Sequence, residues 1–351
     1  MEKKVDIRKL SEAELIDAVE QMGEKKFRGK QIYEWLWSKR ARSFDEMTNL
    51  SFEFREKLKE KFEIYFITIA DKQISNDGTI KYAFKLREGH VVEGVLIPTE
   101  NRTTACISSQ VGCSLACAFC ATGKLKLMKN LEAYEIYDQV AEIYKDAEIL
   151  QSKPLQNIVY MGMGEPLLNY KNMLTSTQRI SDDKGLGMSP KRITVSTAGI
   201  AKMITKLADD NVRFNLALSL HAANDEKRNK IMGINETNSL EVLAEALKYF
   251  YRKTGTRVTY EYIIFKDFND TIDDARELLA FCKHVPCKVN IIEYNPIDDG
   301  VFQQADPERV DAFAAFLEEN HQIVNIRRSR GKDIDAACGQ LANKNKAVLK
   351  D

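Results

Sequence analysis

The chain has 351 residues, 44% hydrophobic and 30% charged, which allows about two domains at roughly 150 residues each and excludes wholesale disorder. Its 52 Lys and Arg balance 52 Asp and Glu, so the formal net charge is zero, which argues against coating nucleic acid through bulk charge. No run approaches the ~20 apolar residues that cross a bilayer, and the charged start Met1-Glu2-Lys3-Lys4-Val5-Asp6 does not read as a signal peptide. The expectation is a cytoplasmic protein whose seven cysteines are ligands, catalysts or core fillers, not a disulfide framework.

In chain order, residues 1–62 read as a helical module. Ser11 and Glu14 have the spacing of a capping box. Ile32, Trp35 and Leu36 form an apolar face that ends in a basic turn at Lys39. Residues 25–42 hold seven basic residues and one acid, Glu34, which fits either a solvated face or phosphate contact. Residues 63–98 change to strand-like runs at 64–69, 80–86 and 91–97, with turns at Asn76-Asp77-Gly78 and Glu88-Gly89; the pattern predicts a small antiparallel sheet. From 99 to 351, short apolar strands (104–108, 157–161, 192–196, 213–219, 257–264, 288–292 and 323–327) alternate with helical stretches (132–150, 170–182, 200–209, 239–254 and 272–283). That alternation predicts an α/β fold with a parallel sheet, open or closed into a barrel, with its chemistry at the C-terminal strand ends.

Cys113-Ser114-Leu115-Ala116-Cys117-Ala118-Phe119-Cys120 puts three thiols on one tight loop. Thiolates hold iron–sulfur clusters, and three protein ligands leave one iron of a four-iron cluster open. Structural zinc usually takes four protein ligands, and no nearby fourth cysteine has that arrangement, although Cys106 is close in sequence. The next strand runs into Gly162-Met163-Gly164-Glu165-Pro166, where glycines permit close approach to a ligand and Glu165 can accept from an ammonium. Ser196, Ser219-Leu220-His221 and Asn295 close later strands. Cys338 stands alone beside Gly339, as Cys106 stands alone before the loop; either fits a small buried hydrophobe. Cys282 and Cys287, around His284, read as packing residues. Glu93, taken alone, reads as a surface carboxylate on an edge strand.

The three-cysteine loop, with Phe119 before its last cysteine, resembles the radical SAM superfamily. Cys106-Ile107-Ser108-Ser109-Gln110, the loop running on into Ala121-Thr122-Gly123, the stretch from Met161 to Pro166, the Cys338 segment and Arg28-Gly29-Lys30-Gln31-Ile32-Tyr33-Glu34-Trp35-Leu36 together resemble the RlmN/Cfr family of RNA methyltransferases over nearly the whole chain.

The resemblance implies a partial (β/α)6-like barrel carrying a [4Fe–4S] cluster on Cys113, Cys117 and Cys120. It implies S-adenosylmethionine (SAM), two molecules per turnover, held by Gly164, Glu165, Ser196, Ser219, Leu220, His221 and Asn295. It implies methylation of adenine carbon 2 in 23S rRNA and in some tRNAs. Carbon 2 is electrophilic, so the methyl group would travel by way of a methylated Cys338; a deoxyadenosyl radical would activate it for addition to the ring. Glu93 would take the ring proton, where partial desolvation in an apolar strand favours a base. Cys106 would close a transient disulfide with Cys338 that a thiol reductant reopens. A flavodoxin-like or other electron donor and a monomeric enzyme are implied as well. Basic runs at 25–42, 124–129 and 327–332 are the expected RNA contacts. The alternatives are a Cfr-type carbon-8 methyltransferase and a non-enzymatic, zinc-containing RNA-binding protein.

Overall fold

The computed structural model describes residues 4–151 and 154–344; residues 1–3 of the charged start lie outside them. Three helices come first: α1 (Glu12–Gln21), α2 (Lys26–Trp37) and α3 (Phe52–Lys61). The capping box forms, with the Glu14 amide donating to Ser11 Oγ at 3.2 Å and the Ser11 amide to Glu14 Oε2 at 2.7 Å. The buried face of α2 is Ile32, Tyr33, Leu36 and Trp37. The spacing had placed Trp35 there; instead its indole donates outward to Asn49 Oδ1 at 2.6 Å, with Lys39 Nζ 4.0 Å above the ring. Trp37 takes the inward position because its partners are there: an edge-on contact with Tyr137 at 5.1 Å and the Arg179 guanidinium at 3.9 Å.

Fully buried Arg8 also faces Trp37 and forms a bidentate pair with Asp138 at 2.6 and 2.8 Å. One apolar core runs unbroken from these helices into the rest of the molecule.

Ten strands form one sheet: β1 (Thr68–Ile74), β2 (Ile80–Lys85), β3 (Val91–Pro98), β4 (Thr103–Cys106), β5 (Asn157–Tyr160), β6 (Ile193–Thr197), β7 (Asn215–Ser219), β8 (Val258–Ile264), β9 (Cys287–Glu293) and β10 (Val324–Arg327). Their order in space follows the chain. Pairing is antiparallel from β1 to β4 and parallel from β4 to β10, so all seven strands read in the alternating region are present. The first strand of the antiparallel sheet is a correction: it occupies 68–74, not 64–69. The Asn76-Asp77-Gly78 turn sets the register by pairing Ile74 with Ile80. Ile67 is buried instead, its amide donating to Asp138 at 3.3 Å.

The expected helices α4 (Ala133–Gln151), α5 (Tyr170–Ser181), α6 (Ala201–Asp209), α8 (Leu240–Thr254) and α9 (Ile272–Cys282) lie between the parallel strands, joined by two that were not read, α7 (Asp225–Ile231) and α10 (Pro307–Glu319). Each crossover advances the sheet one strand in the same direction. Right-handed crossovers then put the helices on one face, and the sheet curls over its other face. Arg327, ending β10, reaches Met161 Sδ just beyond β5 at 3.9 Å across that concave face. The C-terminal strand ends share one mouth, as in other α/β barrels.

Candidate active site

The three-cysteine loop follows β4 and is held from both sides. A Cβ on Gly112 would fall 2.0 Å from the Lys126 carbonyl oxygen, and one on Gly123 2.8 Å from that of Cys117. Phe119 roots the loop, edge-on to His221 at 4.8 Å and tilted against Phe265 at 5.7 Å. The Ala118 amide donates to the Ile231 carbonyl at 3.0 Å, and the Ala121 amide to Gly339 at 2.7 Å. Cys113, Cys117 and Cys120 line one cleft. Burial pushes the Cys113 thiol up to about 11 and raises Cys117 and Cys120 as well, with the neighbouring thiols adding to the rise. Such a triad favours a bound cation that stabilises thiolates. Among the described residues, no three His, Cys, Asp or Glu side chains converge as the ligands of one ion do. Three thiols lining one cleft fit a polynuclear cluster, in which different irons take different thiolates.

The same cleft is lined by Gly162, Gly164, Glu165, Ser196, Ser219 and His221. The two glycines have a structural reason beyond ligand approach. A Cβ at Gly162 would sit 2.7 Å from the Ile107 carbonyl, and one at Gly164, whose φ is +94°, 2.4 Å from Gln110. Glu165 is buried and accepts from the Ala198 amide at 2.7 Å and the Leu167 amide at 3.0 Å. Burial raises its carboxyl above the usual range against the pull of those amides, an environment that rewards an incoming ammonium. Ser196 and Ser219 lie 3.2 Å apart through their hydroxyls. His221 has a left-handed φ of 57° and accepts from the Ile263 amide through Nδ1 at 3.1 Å. Burial, with the Arg228 charge adding, pushes its pKa down to about 3. Two of the predicted SAM contacts do not line this cleft. The Leu220 side chain is buried in the core, and its carbonyl accepts from Arg228 Nε at 3.0 Å. The Asn295 side-chain Nδ2 donates to the Cys338 carbonyl at 3.3 Å.

Cys338 lines the first cleft and also a second one, which Cys106 and Arg327 share. The two lone cysteines, 232 positions apart, thus meet at one opening. Burial pushes the Cys106 thiol up to about 12, with the Cys338 charge adding and Arg327 opposing. Arg327 is held by Glu261 at 3.1 Å. Cys282 and Cys287 sit together in the main core, away from both clefts.

Glu93 on β3 is 1% exposed, which corrects the edge-strand reading. Its Oε2 accepts from the Ala342 amide at 2.8 Å and the Asn343 amide at 3.0 Å. Its Oε1 lies 3.6 Å from Lys81 Nζ and has no hydrogen-bond partner. Glu93 lines neither cleft; residues 341–343 cover it.

Several expected phosphate-binding cations are already engaged. Lys129 pairs with Glu135 and Glu88, Arg328 and Lys332 with Glu293, Arg330 with Asp77, and Arg42 with Glu142. Lys25, Lys26 and Lys30 are exposed beside Phe27, with Lys26 paired to Glu20 at 3.7 Å. Arg228 is the main group missed from sequence. It is fully buried, donating to the carbonyls of Ala198 at 2.6 Å and Leu220 at 3.0 Å, and so ties together the ends of β6 and β7. Its spacing on a short charged helix carried no visible signal. Glu261 was more legible, as a carboxylate inside an otherwise apolar strand.

A thiol triad after the first parallel strand, facing glycine, carboxylate and serine groups on the strands that follow, places the protein among radical SAM enzymes. Residues 107–282 match the Radical SAM superfamily. Residues 5–64 match the ribosomal RNA large subunit methyltransferase N-terminal domain. The probable dual-specificity RNA methyltransferase RlmN of Christiangramia forsetii is 59% identical over 98% of this chain and 97% of its own. The protein of the same name from Cytophaga hutchinsonii is 60% identical over 97% and 94%. The crystal structure of a radical SAM methyltransferase from Sphaerobacter thermophilus superposes with a TM-score of 0.90 at 36% identity, covering 96% of this chain and 99% of that one. The chain belongs to the RlmN family of radical SAM RNA methyltransferases. Membership makes it an enzyme that uses SAM and a [4Fe–4S] cluster on RNA, and it sets aside both the zinc-bearing binding module and the Cfr-type reading.

Proposed function

We propose that the protein methylates carbon 2 of one adenosine in 23S rRNA and of the adenosine 3′ of the anticodon in some tRNAs, with Cys338 as methyl carrier and Cys106 as the thiol that releases the product. The observation that carries this reading is the shared opening: Cys338 lines both the cleft of the cysteine triad and the cleft that holds Cys106.

Cys113, Cys117 and Cys120 would hold the cluster, which when bound supplies one electron to cleave SAM and generate a deoxyadenosyl radical. Glu165 offers a carboxylate to the SAM ammonium, and Ser196, Ser219 and Gly164 line the space beside it. His221, kept neutral by burial, can donate from Nε2 because Nδ1 is an acceptor. Asn295 and the Leu220 backbone position their neighbours. The Cys338 sulfur takes a methyl group from one SAM molecule, and the radical from the second would take a hydrogen atom from that S-methyl group, whose carbon then bonds to ring carbon 2. Glu93 accepts the ring proton once residues 341–343 move aside. Cys106 would then attack the Cys338 sulfur: as the S–S bond forms, the S–C bond to the base breaks, the freed carbon takes a proton, the odd electron left by the radical would pass back to the bound cluster, and a thiol reductant later restores both thiols. Exposed Lys25, Lys26 and Lys30 on the N-terminal helices and Lys126 near the mouth contact phosphates. The division into helical module, small antiparallel sheet and barrel, the flavodoxin-like electron donor, the monomeric state and the cytoplasmic setting belong to this reading; no helix among the described residues is long and apolar enough to cross a membrane.

The test is product analysis. Cluster-loaded protein, SAM and a 23S rRNA fragment are incubated with a reductant, and the RNA is digested to nucleosides. The expected product is 2-methyladenosine; 8-methyladenosine as the main product overturns the carbon assignment.

A further inference from the structure

The segment that carries Cys338 has almost no regular backbone structure of its own. Between β10 and residue 344 it forms one short 3-10 turn, Lys332–Ile334, with left-handed residues at Gly331, Asp335, Gly339 and Asn343. With no helix or sheet ladder to hold it, its placement must come from contacts with other elements.

The barrel supplies some of those contacts, through Thr122, Glu293 and Pro296, and the antiparallel strands β1–β3 of the sheet supply the two ends. At the hairpin tip between β1 and β2, Asp77 Oδ2 accepts from the Gly331 amide at 3.0 Å. In return, Asp333 accepts from Ser75 Oγ at 2.5 Å and from the Asn76 amide at 3.1 Å. Each loop thus presents a carboxylate to an amide of the other, a charge-assisted exchange in both directions. The approach is close: a Cβ on Gly331 would lie 2.9 Å from Thr79 Cγ2. Beyond Cys338, β3 of the same sheet holds the Ala342 and Asn343 amides through Glu93. The segment is an arch with both feet on these strands, and Cys338 at its crown stands in the barrel mouth, where Asn295 Nδ2 donates to the Cys338 carbonyl and the Ala121 amide to that of Gly339.

We propose that Asp77 and Asp333 are positioning residues for the methyl carrier: by fixing the first foot of the arch to the hairpin tip, they set where the Cys338 thiol stands relative to Cys106. The proposal rests on the methyl-relay reading above. Neither carboxylate lines either cleft, so their influence passes through the arch.

The experiment equilibrates anaerobic, cluster-loaded protein with glutathione buffers. Two protein thiols and one oxidised glutathione give one protein disulfide and two reduced glutathiones. The Cys106–Cys338 linkage is counted as a cross-linked peptide by mass spectrometry. Asp77→Ala and Asp333→Ala should each lower the equilibrium constant by about fivefold, from the loss of roughly one net hydrogen bond's worth of preorganisation. Both should speed alkylation of Cys338 by iodoacetamide and lower kcat while leaving KM for RNA unchanged. Asp77→Asn and Asp333→Asn keep one acceptor oxygen and should give intermediate losses; they serve where an Ala variant does not fold. An unchanged disulfide equilibrium and alkylation rate in folded variants overturns the positioning role. If the wild type forms no Cys106–Cys338 disulfide in any buffer, the relay itself fails, and the alkylation rates still decide whether the hairpin anchors Cys338.

Discussion

The Lys81 ammonium and the Glu93 carboxylate face each other at 3.6 Å with only 3% and 1% of their side chains exposed. The β2–β3 register explains the meeting. Ala83 pairs with Glu93 and Lys81 with Val95, so the two charges are diagonal neighbours on one face. The distance is long for a hydrogen bond, and Glu93 Oε1 has no other partner. Removing one charge strands the other in the interior. Lys81→Met should therefore destabilise the fold by about 3–5 kcal/mol. The Lys81→Met/Glu93→Gln double variant should recover much of that loss in urea unfolding. Equal losses in the single and double variants would show that the two charges are not coupled.

Cys106 and Cys338 have different assignments in the relay, and their variants should stall at different points. Cys106→Ala can still load a methyl group on Cys338 and join it to RNA but cannot release it, so a covalent protein–RNA adduct should accumulate. Cys338→Ala should form no adduct. Labelled RNA on a denaturing gel separates the cases, and normal turnover by Cys106→Ala would falsify its role in release.

The parallel strands were legible because most are short apolar runs, and several run into glycine, serine or asparagine. The cysteine triad was legible because three thiols on one loop have few other uses. What escaped depended on distant partners. Trp37 displaced Trp35 from the helix face because Tyr137 and Arg179, far along the chain, receive it. The edge strand was placed too early because apolar 64–67 looked more strand-like than 68–74, the polar stretch that pairs with β2. Helix α10 was missed although Val310, Phe313, Ala314 and Leu317 have helical spacing after Pro307. That Glu93 would be covered by residues 341–343 had no local signal at all.

Gly164 tests how tightly the strand-end loops must pack. Its φ of +94° disfavours any side chain, and an added Cβ would lie 2.4 Å from Gln110. Gln110 in turn accepts from the Glu165 amide at 2.7 Å. Gly164→Ala should cost about 1–3 kcal/mol of stability and weaken SAM binding by displacing Glu165. The nearest Gln110 atom is its Cβ, so adding Gln110→Gly removes the clash but not the backbone strain, and equilibrium dialysis should show incomplete recovery. Full recovery of binding would place the whole effect in the clash.

His221 supplies a pH test with a definite sign. Its folded pKa, near 3, lies below the ordinary value of 6.5 because burial disfavours the cation and Arg228 adds repulsion. Between those values the unfolded chain takes up a proton that the folded chain refuses, so stability rises with pH across this window and the contribution is complete above about 6.5. His221→Gln has no such proton. The stability advantage of the wild type over this variant should be largest at pH 7.5 and shrink towards pH 5, by up to about 1.4 kcal/mol per unit below 6.5. Urea midpoints of both proteins across that range measure it. A gap that stays constant with pH would mean that the imidazole accepts a proton in the folded cleft, and the neutral Nε2 donor assigned to SAM binding would have to be abandoned.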